Sequence, residues 1–393
     1  MKFKDWIHDV ANADWRIYIK RLSANDTGAT KSHQSGIYFP RSVLSTIFPS
    51  INRNDQTNPE VFFTSVIESD NIPEQTLRAI YYNQKTRNEK RITRWKQGID
   101  YTPLQDTEKT GAIAIFAFHQ SSGDSAFMRA WVCRNLEEED HLEERLGELD
   151  PQRSYFEYGN ILFEGITHSG SLKTEKYPPE WNEHFPAGAT IINYLLQKGS
   201  HAELAPDERL LKRRDHEFDL FRLVEHHHVL PLIQKGFTNV EDFVRLANSV
   251  SNRRKSRSGA SLELHLETIF KEEGLTQFET QCTTESNKKP DFLFPGCSCY
   301  HDSYYPSDNL RMLAVKTTAK DRWRQILNEA HRITTPYLFT LQQGVSENQF
   351  REMQEENVKL VVPKKIHACF PESIRKDLYS LARFIRETKN LYL

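Results

Sequence analysis

Short apolar runs, spaced by polar loops, fill the first part of the chain. Positions 16–20, 36–39, 61–67, 78–82, 111–118 and 127–133 are rich in β-branched and aromatic residues, a pattern that predicts strands. A short helix opens the chain, and another over 42–48 is ended by Pro49. The pattern then changes. His168-Ser169-Gly170-Ser171 and Tyr177-Pro178-Pro179 combine small polar residues with paired prolines, as an exposed hinge would. The expected organisation is a mainly β domain over 1–165, a linker over 166–182 and a second domain over 183–393.

The second domain opens with helical spacing. Positions 207–229 predict a helix burying Leu210, Leu211, Phe218, Phe221, Leu223 and Val224. Thr238-Asn239-Val240-Glu241 reads as a capping box for a helix through Val250. A basic run, 251–259, follows. Leu262, Leu266, Ile269 and Phe270 then share one helix face, and Glu263 and Glu267 another, before Gly274. Phe292-Leu293-Phe294, stopped by Pro295-Gly296, and Met312-Leu313-Ala314-Val315 predict two buried strands. Trp323, Ile326, Leu327 and Ala330 predict a helix from Arg322. Strands over 336–341 and 358–363, with helices from about Ser346 and Pro371, complete an α/β layer.

This arrangement sets a carboxylate, Asp291, at the start of one strand and Lys316 at the end of the next. A second carboxylate, Glu329, lies on the helix after it. Phosphodiester hydrolysis needs such a set. Two carboxylates can hold magnesium while leaving positions for water and phosphate oxygen, and a lysine can orient the attacking water.

Composition narrows the alternatives. Across 393 residues, a 38% hydrophobic and 27% charged content fits soluble globular domains. The longest apolar run, 111–118, is too short to span a bilayer, and the first residues lack a secretory core. Cys133, Cys282, Cys297, Cys299 and Cys369 are scattered, which predicts reduced cytoplasmic thiols rather than a disulfide framework. Cys297-Ser298-Cys299 has no second pair nearby for structural zinc. Three consecutive histidines, 226–228, point in different directions on a helix and cannot converge on one ion.

The net charge of −2 gives no nucleic-acid signal, but its distribution does. Acidic residues gather over 136–150. Two polar loops, 20–34 and 85–95, the second with five basic residues against one acidic, carry the side chains that neutralise phosphates and read base edges.

The stretch 287–332 resembles the catalytic motif of type II restriction endonucleases in the PD-(D/E)XK superfamily, in the branch whose second acidic residue has moved to the following helix. The whole chain is similar to the EcoRII-like (type IIE) enzymes. The resemblance implies an N-terminal DNA-binding pseudobarrel of the plant transcription factor type and a C-terminal restriction-endonuclease-like nuclease. It implies that Asp291, Lys316, Glu329 and Glu263 form the nuclease site, with Tyr300 and Lys320 at or near it. Asp291, Glu329 and Glu263 would be the Mg2+ ligands. Lys20, Asn25, His33, Tyr38, Arg87, Lys90, Arg91 and Arg94 would contact DNA from the first domain. Arg253, Arg254 and Lys255, with Asp321, Arg322 and Arg324, would do so from the second.

The resemblance further implies a bacterial homodimer acting on double-stranded DNA at CCWGG (W is A or T) and cutting before the first C. The N-terminal domain would hold the nuclease inactive until a further DNA site binds, and a cytosine methyltransferase would be the functional partner. The alternatives are a non-cleaving repressor-like DNA-binding protein and a methylation-dependent nuclease.

Overall fold

The computed structural model describes residues 1–30, 36–84, 88–119, 122–146, 149, 155–164 and 177–392, with the side chains at 144, 164, 255, 256, 258, 259, 286 and 321 outside that description. Eight strands form one curled sheet: β1 Trp15–Arg21, β2 Ile37–Phe39, β3 Glu60–Ile67, β4 Ile72–Tyr82, β5 Glu89–Thr93, β6 Ile113–His119, β7 Phe127–Val132 and β8 Tyr155–Tyr158. Their order is β2-β5-β4-β3-β7-β6-β1-β8, antiparallel except where β3 runs parallel to β7. β6 shows why a nearly continuous apolar run makes a strand here. Ala114, Phe116 and Phe118 enter one core, while Ile113, Ile115 and Ala117 enter another, so both faces are covered.

Two elements depart from the sequence expectation in this half. The predicted polar loop 85–95 contains β5, paired with β2 and β4. Lys90 donates to Ser45 Oγ at 2.6 Å and also to Asn52, and Arg91 donates to the Gly36 carbonyl at 2.9 Å. Partnered this way, polar side chains can be buried in a strand at little cost. β8 also pairs with β1.

The second half holds a five-stranded sheet of β9 Glu279–Thr280, β10 Phe292–Phe294, β11 Arg311–Val315, β12 Tyr337–Phe339 and β13 Lys359–Val361. β10 runs antiparallel to both β9 and β11, and β11, β12 and β13 are mutually parallel. Residues of β10 to β13 are buried along with Leu262, Leu266, Ile269 and Phe270 from a long helix and Phe384 from the last one.

The helical expectations need four corrections, one being that the helix expected from about Pro371 starts only at Leu381 and runs to Lys389, after a run of turns. The helix from 240 does not stop at Val250: one 33-residue helix, Val240–Glu272, runs straight through the basic stretch. Arg254 is held by Glu225, and Arg257 by Glu217, on the neighbouring helix Pro206–Lys235, so this charge makes interhelical packing rather than a loop. Asn239, not Thr238, caps it, accepting from the Asp242 amide at 2.8 Å. The helix expected from Arg322 is a 3-10 helix, Lys320–Asn328, with Glu329 as its C-cap. Trp323 and Ile326 are buried, and their three-residue interval matches the 3-10 repeat.

Cys282 and Cys297 form a disulfide, against the expectation of reduced thiols throughout. The short helix Cys297–His301 folds back against 283–285, with His301 Nε2 3.0 Å from the Thr283 carbonyl and Tyr300 bonded to Glu285, and the two Cα atoms lie 5.8 Å apart, within bridging range. Of the expected linker, 166–176 lies outside the described residues. The 3-10 turn Pro179–Asn182 packs Trp181 against Leu220, Phe221 and Val224 of the long helix.

Candidate active site

Asp291 directly precedes β10, and the pairing of Phe292 with Leu313 lays it beside the end of β11. Its Oδ2 accepts from the Val315 amide at 2.6 Å and lies 3.3 Å from Lys316 Nζ. Lys316 continues the sheet, its amide donating to the Phe339 carbonyl at 3.0 Å. Both side chains retain a solvent-facing edge.

Glu329 arrives from the 3-10 helix, held by its amide on the Ile326 carbonyl and by the Thr284 hydroxyl on its own carbonyl. Burial above all, opposed by Lys316 and Lys288 and reinforced by Asp291, holds its carboxyl up at about 7. Glu263, on the helix Val240–Glu272, is also raised, first by burial and then by Asp291, with Lys316 opposing. Glu263, Asp291, Lys316 and Glu329 therefore share one electrostatic neighbourhood.

That neighbourhood gives a sign for Glu329. A carboxyl raised in the folded state holds its proton more tightly than in the unfolded chain, so stability falls as pH rises from about 4.5 to about 7. Glu329→Gln should raise the melting temperature at pH 8 and do much less at pH 5. An equal shift at both pH values in scanning calorimetry would refute this.

Among the described residues, no three His, Cys, Asp or Glu side chains form a ready cation cage. The donor set nevertheless fits magnesium, which is commonly held by one or two carboxylates together with substrate phosphate and water. Glu329 Oε2 is buried with no hydrogen-bond partner, and Asp291 offers a second hard oxygen nearby.

Tyr300 is engaged away from Asp291 and Lys316. Its buried hydroxyl reaches both oxygens of Glu285, at 2.8 and 2.6 Å. Burial and this bond push the phenol up to about 12. Glu285 also accepts from the His331 amide, so Tyr300 braces the segment just after Glu329.

Lys320 and Arg322 turn towards the first half of the molecule. Lys320 Nζ pairs with Glu139, and Arg322 with Asp140 at 3.0 Å, both acids on the helix Leu136–Leu146. Arg324 pairs with Glu352. The side chains of Asp321 and Lys255 lie outside the described residues. Arg253 stacks over Phe185, and Arg254 binds Glu225 and the Arg145 carbonyl.

In the first half, Lys20 binds Asp26 at 2.7 Å and the Tyr38 carbonyl at 3.1 Å, and Asn25 is half-buried. Of the candidate DNA contacts described there, Tyr38 and Arg94 face solvent, Arg94 lying over the exposed Phe62. Lys90 and Arg91 are buried. His33 and Arg87 lie outside the described residues. Sequence reasoning missed Glu139 and Glu285, Arg21, which donates to Glu139 at 2.8 Å, and Gln342, whose Oε1 accepts from the Ala319 and Lys320 amides. Only the acidic run over 136–150 pointed to any of them.

The family profile for the EcoRII C terminal matches residues 221–385, and that for the N-terminal part of restriction endonuclease EcoRII matches residues 11–160. The type II restriction enzyme EcoRII of Escherichia coli is 49% identical over 398 residues, spanning 99% of this chain and 98% of that protein. The chain belongs to the EcoRII family of type II restriction enzymes. Among solved structures, metal-depleted Ecl18kI in complex with uncleaved, modified DNA has a TM-score of 0.44 at 18% identity, covering 54% of this EcoRII-family chain and 80% of that one. Metal-depleted Ecl18kI with uncleaved DNA gives the same score and identity, covering 55% and 85%. No helix among the described residues of this EcoRII-family member is long and apolar enough to cross a membrane.

Proposed function

We propose that the chain is a magnesium-dependent endonuclease that hydrolyses double-stranded DNA at CCWGG, cutting before the first C to leave a 5′-phosphate and a 3′-hydroxyl. The observation that carries this reading is the meeting of Asp291, Lys316 and Glu329 at the ends of β10 and β11, in a chain whose two halves both match EcoRII. On this reading the second half is a PD-(D/E)XK nuclease and the first a DNA-binding pseudobarrel.

Asp291 and Glu329, with Glu263 assisting, would hold Mg2+. When bound, the ion supplies charge neutralisation at the phosphoryl group and lowers the pKa of water. Lys316, beside Asp291, orients the attacking water towards phosphorus. Tyr300, through Glu285, fixes the backbone that presents Glu329. Lys320, Arg322 and Arg324 serve DNA recognition. Engagement of Lys320 and Arg322 by Glu139 and Asp140 supports an autoinhibited state, since those cations cannot meet DNA while paired. A homodimer would cut both strands, and a cytosine methyltransferase of the same specificity would protect host sites.

The test is digestion of unmethylated multi-site plasmid with magnesium or with EDTA, followed by sequencing of the ends. Magnesium-dependent ends at CCWGG are expected. Ends elsewhere would overturn the specificity. Tight binding without cleavage would replace the nuclease by a repressor.

A further inference from the structure

Glu329 reaches the site from a segment outside the sheet. Asp291 and Lys316 are set by the β10–β11 pairing, whereas residues 329–333 lie between the 3-10 helix Lys320–Asn328 and β12. A carboxylate presented this way stands where the surrounding bonds hold its backbone.

Arg332 makes the most extensive of those bonds. Its Nη1 donates to the carbonyls of Cys299 at 3.3 Å, Tyr300, and Asp302 at 2.8 Å, and its Nη2 to that of Tyr305 at 2.6 Å. These acceptors belong to the end of the short helix Cys297–His301 and the turn after it, where carbonyls lack helical partners. The guanidinium carbon also lies 5.8 Å from the centre of the Tyr300 ring. A rigid planar fork can serve several carbonyls at once, which the compact ammonium of lysine does less well.

We infer that Arg332 is a positioning residue for cleavage: by fastening 329–333 to the end of that helix, it sets where the Glu329 carboxylate stands relative to Asp291, so that the two can share one divalent cation. The inference rests on the reading of Asp291 and Glu329 as metal ligands. Arg332 acts through the backbone, since its bonds go to main-chain carbonyls rather than to either carboxylate. Arg375 supplies a comparison without that consequence. It clamps the Phe370 and Ala368 carbonyls at 2.8 and 3.0 Å, in the turns before the last helix.

Mn2+ binding to the full-length protein without DNA, followed by electron paramagnetic resonance, tests the role apart from cleavage, with Asp291→Asn as the reference for a lost ligand. Arg332→Ala should weaken Mn2+ binding about 10- to 100-fold at unchanged stoichiometry, the range for losing a group that orients a ligand. Arg332→Lys should weaken it less, because charge and stem remain while the fork is lost. Arg375→Ala should bind Mn2+ as the wild type does, whatever it does to the melting temperature. The Mg2+ concentration giving half-maximal single-turnover cleavage should shift in the same order. Wild-type Mn2+ affinity in Arg332→Ala, or in Arg332→Lys where the alanine variant does not fold, would overturn the positioning role while leaving the metal site standing. Equal weakening by Arg375→Ala would also overturn it, by tracing the effect to general stability. Equal binding by wild type and Asp291→Asn would instead remove the metal reading beneath it.

Discussion

Asp291→Asn is expected to lower the cleavage rate by about 1,000-fold or more, the scale of losing several kcal/mol of metal-assisted charge stabilisation, while leaving the fold intact. Asparagine keeps an oxygen to accept from the Val315 amide, so the β10–β11 junction is retained. What disappears is the charge. Asp291 raises both Glu263 and Glu329, so its neutralisation should let both carboxyls ionise at lower pH. The variant should therefore melt no lower than wild type, and DNA binding in the absence of metal should stay within a few-fold. Single-turnover cleavage with a filter-binding control checks this. Wild-type turnover by Asp291→Asn would remove the residue from the catalytic set. Lost binding with normal melting would make it a DNA contact instead.

The legibility of the chain follows the range of the forces involved. Local and periodic features could be read directly. β6 is a continuous apolar strand because both its faces are covered, and the adjacency of Asp291 to Lys316 follows from two short strands that pair in the simplest register. Features that depend on distant partners could not be read. β5 reads as a basic loop until Ser45, Asn52 and Gly36 are seen to satisfy Lys90 and Arg91. The basic stretch 251–259 reads as a break between helices until Glu217 and Glu225 appear opposite Arg257 and Arg254. The Cys282–Cys297 bridge depends on the short helix Cys297–His301 folding back against 283–285. Charge runs were the hardest part of the sequence to interpret, because the same residues suit a solvated face, a phosphate contact or an internal ion pair.

The acidic run over 136–150 is the case with the largest functional consequence. Glu139 is fully buried, and although burial works against its charge, Arg21 and Lys320 hold the carboxyl below its ordinary range. Arg21 also binds Glu143, so one helix gathers a cation from its own sheet and another from the segment that follows Lys316. The seam is close elsewhere too. Glu108 accepts from Ser346 at 2.9 Å and Asn348 at 2.5 Å, and a Cβ on Gly111 would collide with the Gly344 carbonyl.

Glu139→Gln keeps an acceptor but removes the charge that Lys320 meets. A charge-assisted hydrogen bond contributes roughly 1.5–3 kcal/mol, so its loss should raise the open population about 10- to 100-fold. On the proposed autoinhibited reading, cleavage of a duplex carrying one recognition site should rise correspondingly, and by less on DNA with many sites, where that reading has a second site opening the same contact. Stability should move the other way, because Arg21 loses a buried partner at a cost of about 3–5 kcal/mol at most, a fall on the order of 10 °C in melting temperature. Glu108→Ala separates the two effects: it releases Ser346 and Asn348 from the seam and leaves the Arg21–Glu139 pair in place. If single-site cleavage stays at the wild-type rate in both folded variants, the contact between the halves does not restrain the nuclease.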